Sequence, residues 1–168
     1  TFEIDVPPLA EFKERIRNIS EVYPWIVCEI DGGIAGYAYA ARHHERAAYQ
    51  WAVNLSVYIG EDYKRKGLGS VLYATLFDIL EHLGYFTGLA CVTRPNPQSE
   101  KFHESFGFRT VGIYHHVGFK LGRWHDVVWY EAPIKEPVPE PLQPLAIKNA
   151  PAGAINAILL RKAGLLTI

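Results

Sequence analysis

The chain has 168 residues, 49% of them hydrophobic and 13% aromatic, which suits one domain with a sizeable core and excludes a disordered polymer. A net charge of −1 with no long basic run argues against nucleic acid or an anionic membrane as the main partner. No apolar run approaches the length of a membrane-spanning helix and no secretory leader is evident, so no membrane association is expected.

In chain order, Pro7-Pro8 opens an amphipathic helix marked by Leu9, Phe12, Ile16 and Ile19. Residues 25–30, the turn Asp31-Gly32-Gly33 and residues 34–41 read as a β-hairpin. Tyr49, Trp51, Val53, Leu55, Val57 and Ile59 then place apolar side chains at every second position, the alternation of a half-buried strand. After a basic glycine loop, Val71, Leu72, Thr75, Leu76, Ile79, Leu80 and Leu83 recur at helical spacing, and Gly84 supplies the stop. A strand over 86–92, a short helix over 97–106 ended by Gly107, and strands over 108–117 and 124–131 complete a mixed α/β pattern. Cys28 and Cys91 lie in apolar strand runs without metal spacing, so two buried, reduced thiols and a cytoplasmic location are expected. Residues 133–144 carry five prolines, a linker composition. Beyond it, 145–150 is strand-like and 152–166 reads as a helix.

The loop reads Lys64-Arg65-Lys66-Gly67-Leu68-Gly69-Ser70. Between a strand and a helix, Gly67 and Gly69 let the backbone approach a phosphate closely. The first amides of the helix have no intrahelical acceptor and carry partial positive charge, a geometry that binds diphosphate. The bland alternative is a tight turn with a solvated basic cap. Neither the nucleotide P-loop order nor the dinucleotide G-x-G-x-x-G is present.

The loop resembles the [QR]-x-x-G-x-[GA] loop of the GCN5-related N-acetyltransferases, with Lys64 where Gln or Arg is usual. Further motifs follow in the order found in the phosphinothricin acetyltransferase branch. They are Asn96-Pro97-Gln98-Ser99, then Phe102-His103-Glu104-Ser105-Phe106-Gly107-Phe108, then Val117-Gly118-Phe119-Lys120 with Gly122-Arg123-Trp124-His125-Asp126-Val127. The resemblance covers roughly residues 1–145, and several motifs in one order are far more specific than any single one. It implies the GNAT fold, α/β with a mixed, mostly antiparallel central sheet flanked by helices. Family members carry a strand and helix ahead of a T-F-E segment like Thr1-Phe2-Glu3. Here such a pair sits at the other end, so the chain order is expected to be circularly permuted, the plain alternative being an unrelated C-terminal helix that covers an exposed sheet edge or a partner. The expected organisation is a main body over 1–135, a proline-rich linker over 136–144, and a strand plus helix over 145–168 completing the same domain.

The resemblance also implies the chemistry: transfer of acetyl from acetyl-coenzyme A to the α-amino group of a small amino acid or analogue, of the phosphinothricin or methionine sulfone and sulfoximine type, by direct attack. Val57, Tyr58 and Ile59 would offer backbone groups to the pantetheine arm and thioester. Lys64, Arg65, Lys66, Gly67, Leu68, Gly69 and Ser70 would hold the diphosphate, with Asn96 adding a contact from the next strand. Arg46 and Tyr49 match an R-x-x-Y that helps hold the acidic substrate, and Phe2 aligns with an aromatic lining the same pocket, although a surface Arg and a core Phe are the plain alternatives. Asn54 stands where the family has a glutamate base, and an amide cannot take a proton; the open alternatives are that Asn54 orients a water or the amine with deprotonation left to solvent, or that Glu45 or a histidine substitutes. His103 occupies the position of the group that reprotonates the thiolate, or is simply a packed side chain. A homodimer is implied by resemblance alone. Two rival functions stay open: an acetyl-coenzyme A-binding sensor without turnover, motivated by Asn54, and an acetyltransferase for another amine. His43-His44, His115-His116 and His125 lack a ligand-like spacing, and no metal is expected.

Overall fold

The computed structural model describes residues 2–165. One helix, α1 (Leu9–Ser20), precedes the hairpin β1 (Trp25–Ile30) and β2 (Gly33–Arg42). A 3-10 turn at Ala47–Tyr49 leads into β3 (Ala52–Ile59), and a second at Glu61–Tyr63 leads into α2 (Leu68–Leu83). Then come β4 (Thr87–Thr93), α3 (Pro97–Ser105), β5 (Arg109–Lys120), β6 (Arg123–Pro133) and, past a third 3-10 turn at Ile147–Asn149, α4 (Ala152–Ala163). The strands form one sheet in the order β1-β2-β3-β4-β6-β5, antiparallel throughout except for β3 against β4.

The two faces of the sheet differ as the alternation requires. Ala38, Ala40, Val53, Leu55, Ala90, Val92, Val128 and Tyr130 are buried and meet Leu72, Tyr73, Leu76, Ile79 and Leu80 of α2. This is the main core, where truncating one Leu or Ile to Ala costs about 2–5 kcal/mol. On the other face α1 brings Phe12 edge-on to Trp25 and Tyr37, and Trp25 stacks on Tyr39 with centroids 4.1 Å apart. Gly84 closes α2 at φ +98°, a left-handed conformation that glycine adopts without steric cost.

Three expectations need correction. The alternation that began at Tyr49 starts a strand only at Ala52, and Tyr49 belongs to the preceding 3-10 turn. Residues 145–150 form no strand. Pro144 and Pro151 bracket the segment, and its amides are spent across loops, Leu145 donating to Leu83 O at 2.8 Å and Ile147 to Val22 O at 2.9 Å. Cys91 is exposed rather than buried, while Cys28 is half-buried, and both are free thiols. The helix after the linker does form. Within the described residues α4 docks on α2, with Arg161 and Lys162 reaching Asp78 at 2.6 and 3.1 Å. The strand that a permuted chain order would supply is therefore missing among the described residues, and the last residue of the expected helix, at position 166, lies outside them.

Candidate active site

β3 and β4 are laddered only through Ala52↔Thr87, Val53↔Gly88 and Asn54↔Leu89. Past that point β3 stays paired with β2 as far as Ile59 and β4 with β6 as far as Thr93. Their facing edges, 55–59 and 90–93, carry no ladder to one another. A V-shaped gap with unpaired backbone groups on its walls results, the kind of edge on which an extended amide-bearing ligand can add hydrogen bonds. Val57, Tyr58 and Ile59 lie on this edge, and the side chains of Val57 and Ile59 pack against the core.

The glycine loop sits at the mouth of the gap. Gly67 at φ +77° caps α2 and has no side chain to compete for the helix amides. Val71 is the first residue to donate inward, to Gly67 O at 3.1 Å. The amides of Leu68, Gly69 and Ser70 find no acceptor among the described residues, which is the donor set an oxyanion requires. Of the cations, Lys64 is paired with Glu61 at 2.6 Å and Lys66 lies over the Tyr63 ring. Arg65 has no ion pair among the described residues. A side chain at Gly69 would touch Phe102 of α3 at 3.4 Å, so the small residue lets α2 and α3 converge. These features fit an anionic diphosphate.

α3 closes the other side. Asn96 Oδ1 accepts from the Ser99 amide at 3.2 Å, capping the helix and leaving only its NH2 for a ligand. Arg94 clamps Glu100 through two N–H groups at 2.8 and 2.5 Å and holds that carboxyl below its usual range. His103 is 5% exposed. Its Nδ1–H donates to Ser99 O at 2.7 Å and its Nε2 accepts from Tyr73 OH at 3.1 Å. The ring stacks on Tyr130, and burial pushes its pKa down. An acid for the thiolate needs a ring N–H facing the gap. Here both nitrogens are engaged inside the core, so the packed alternative describes His103 and the acid role has no open nitrogen.

Asn54 projects to the opposite face at the apex of the gap. Its Nδ2 donates to Arg42 O at 3.3 Å, and its Oδ1 lies 3.1 Å from His43 Nδ1. His43 is flanked edge-on by Tyr49 and Trp129. The Nε1–H of Trp129 is buried without an acceptor among the described residues. Tyr49 also lies against His44, whose Nδ1 accepts from the Arg46 amide at 3.2 Å. Arg46, Tyr49 and Asn54, separate in sequence, thus share one neighbourhood. Phe2 packs elsewhere, over Gly118 and beside His125 on the β5–β6 hairpin. On the same face Glu3, Phe12, Arg15, Trp25, Tyr37, Tyr39 and Tyr58 line a cavity of about 170 Å³. Burial there pushes the Tyr58 phenol up to about 12. Trp129 carries no signal in the sequence, whereas a histidine in place of the missing glutamate is foreseeable from Asn54, and the register of β2 and β3 places that histidine as His43. No group of three metal-ligating side chains occurs among the described residues, and His115 instead pairs with Asp126 at 2.8 Å.

Residues 1–129 match the family described as an acetyltransferase (GNAT) domain. The chain is 35% identical over 136 residues to a phosphinothricin N-acetyltransferase of Streptomyces viridochromogenes, a match covering 80% of this chain and 74% of that protein. It is 31% identical to an L-methionine sulfoximine/L-methionine sulfone acetyltransferase of Salmonella typhimurium, covering 68% and 67%. A crystal structure of a GNAT superfamily phosphinothricin acetyltransferase from Sinorhizobium meliloti in complex with AcCoA superposes with a TM-score of 0.81 at 31% identity, over 86% of this chain and 80% of that one. Across the curated relatives the chain spans from half to about three quarters of their length. The chain belongs to the GNAT acetyltransferase family. It is accordingly an acetyl-coenzyme A-dependent N-acetyltransferase.

Proposed function

We propose that the acceptor is the α-amino group of a small amino acid bearing a second anionic or strongly polar oxo group, of the phosphinothricin or methionine sulfone and sulfoximine type. The observation that carries this is Arg46. It is exposed, has no ion pair among the described residues, and is tied through His44 and Tyr49 to the apex of the gap. A guanidinium meets carboxylate or phosphinate oxygens with two parallel N–H donors. The names of the relatives from Streptomyces and Salmonella support the same class.

Acetyl-coenzyme A supplies the activated carbonyl carbon. The amides of residues 68–70, with Arg65, hold the diphosphate; the edge of residues 57–59 receives the amide-bearing arm; and the NH2 of Asn96 adds a donor. Transfer is direct. Cys28 is half-buried and Cys91 has no paired base, so neither is an activated nucleophile. Two free thiols suit a reducing compartment such as the cytoplasm. Val111, Tyr114, Val117, Phe119, Leu121 and Trp124 leave the β5–β6 hairpin apolar and exposed, a surface that a second copy of the chain would cover in a homodimer.

Arg46→Ala is expected to raise KM for phosphinothricin by roughly 10–100-fold, the loss of one charge-assisted contact. The KM for acetyl-coenzyme A should stay unchanged. Steady-state thiol release with each substrate varied in turn measures both. An equal loss with a cationic amine would show that Arg46 does not read the acidic group.

A further inference from the structure

The last laddered pair before β3 and β4 part is Asn54↔Leu89, so Asn54 stands at the apex of the gap proposed above to receive the arm of acetyl-coenzyme A. An α-ammonium group has to lose a proton before it can attack, and an amide side chain offers no basic lone pair. The structure places an imidazole against that amide. Asn54 Nδ2 is spent on Arg42 O, which turns Oδ1 toward His43 Nδ1 at 3.1 Å. An amide oxygen only accepts, so Nδ1 carries the proton and Nε2 of the neutral ring keeps its lone pair. That nitrogen has no hydrogen-bond partner among the described residues. The ring is held edge-on by Tyr49 and Trp129, each with centroids 6.2 Å away.

We infer that Nε2 of His43 is the base that takes the proton from the acceptor's α-ammonium group, with Asn54 as a positioning residue that selects the ring tautomer. The inference rests on the N-acetyltransferase reading above. One ammonium proton passes to Nε2, and the neutral amine forms the C–N bond as the C–S bond breaks. The second amine proton neutralises the departing thiolate, and the imidazolium returns its proton to solvent.

The groups around His43 bear on any pH profile. On its own loop they are Arg42 paired with Glu45 at 2.7 Å, His44, Arg46 and Tyr49. From β3 comes the neutral Asn54, from β6 the neutral Trp129, and behind that Tyr114 of β5. Wild-type protein and variants therefore need comparison in the same background. For the wild type, kcat/KM with phosphinothricin should fall along an acid limb that His43→Gln lacks. At pH 7 the variant should be slower by about 10²–10⁴-fold, the range of a general base, with the gap closing as pH nears the amine's own pKa. Added imidazole should restore part of the rate to His43→Gly. Asn54→Asp keeps an acceptor for Nδ1 and should retain both limb and plateau, whereas Asn54→Leu, with His43 still present, should keep the limb at a lower plateau because the ring tautomer is no longer selected.

Nitrogen NMR of the unliganded protein gives a readout independent of turnover. A protonated Nδ1 with a bare Nε2 supports the assignment; the reverse tautomer overturns it. A His43→Gln variant within about threefold of wild type at pH 7 would overturn it too. No turnover by the wild type with any amino-acid acceptor would instead strike the acetyltransferase reading itself, a result distinguishable from either of these.

Discussion

Ser70→Glu is expected to weaken acetyl-coenzyme A binding at least roughly tenfold while leaving thermal stability unchanged or slightly raised. Ser70 is the third residue of α2 and exposed, and its amide is one of three that point outward unpaired. A carboxylate in the first turn interacts favourably with the helix dipole, by about 0.3–1 kcal/mol. The same carboxylate would stand a few ångströms from the diphosphate that those amides are proposed to hold, where like charges repel by at least about 1 kcal/mol even in high dielectric. Stability and affinity should therefore move in opposite directions. Isothermal titration with acetyl-coenzyme A and thermal unfolding of the unliganded protein test the pair. Unchanged affinity would remove the α2 N-terminus from the cofactor site.

His103→Leu should destabilise the fold by about 1–3 kcal/mol, because it strands the buried Tyr73 hydroxyl and the Ser99 carbonyl oxygen. Turnover per folded molecule should stay within a few-fold of wild type, since neither ring nitrogen faces the gap. The pH dependence adds an independent sign. Burial lowers the folded-state pKa of His103 below the ordinary histidine value, so below about pH 6.5 the unfolded chain binds a proton that the folded chain refuses. Stability is fully present above that pH and falls as the solution is acidified toward the folded-state pKa. Urea unfolding at pH 5 and pH 7.5 should show this loss in the wild type and its attenuation in His103→Leu. A drop in turnover of two orders of magnitude with stability intact would restore His103 as the acid.

Much of this site is legible along the chain because its parts are local. The alternation from Val53 to Ile59, the positive-φ glycine at 67 and the helical recurrence from Val71 to Leu83 each depend on neighbours a few residues away. What sequence leaves out depends on register and on which face is covered. His43 meets Asn54 only because Arg42 pairs with Val53 and Ala41 with Asn54 across β2 and β3, a register that no periodicity reveals. Cys91 sits in an alternating strand on the face opposite Ala90 and Val92 and is exposed there, so alternation assigned a face without telling whether that face is buried. The apolar run at 145–150 has strand composition, but flanking prolines and hydrogen bonds to Leu83 and Val22 hold it as a 3-10 turn. His103 shows the converse limit: residue type and position leave a proton donor and a packed side chain equally open, and only the core contacts tell where its nitrogens are engaged.

The most direct test of the account is thiol release from acetyl-coenzyme A at neutral to alkaline pH, with phosphinothricin, methionine sulfone and a cationic amine as acceptors. Rapid release with the first two and little with the third is the predicted result. Tight cofactor binding with no release for any acceptor would contradict it and would make the chain an acetyl-coenzyme A-binding protein without turnover.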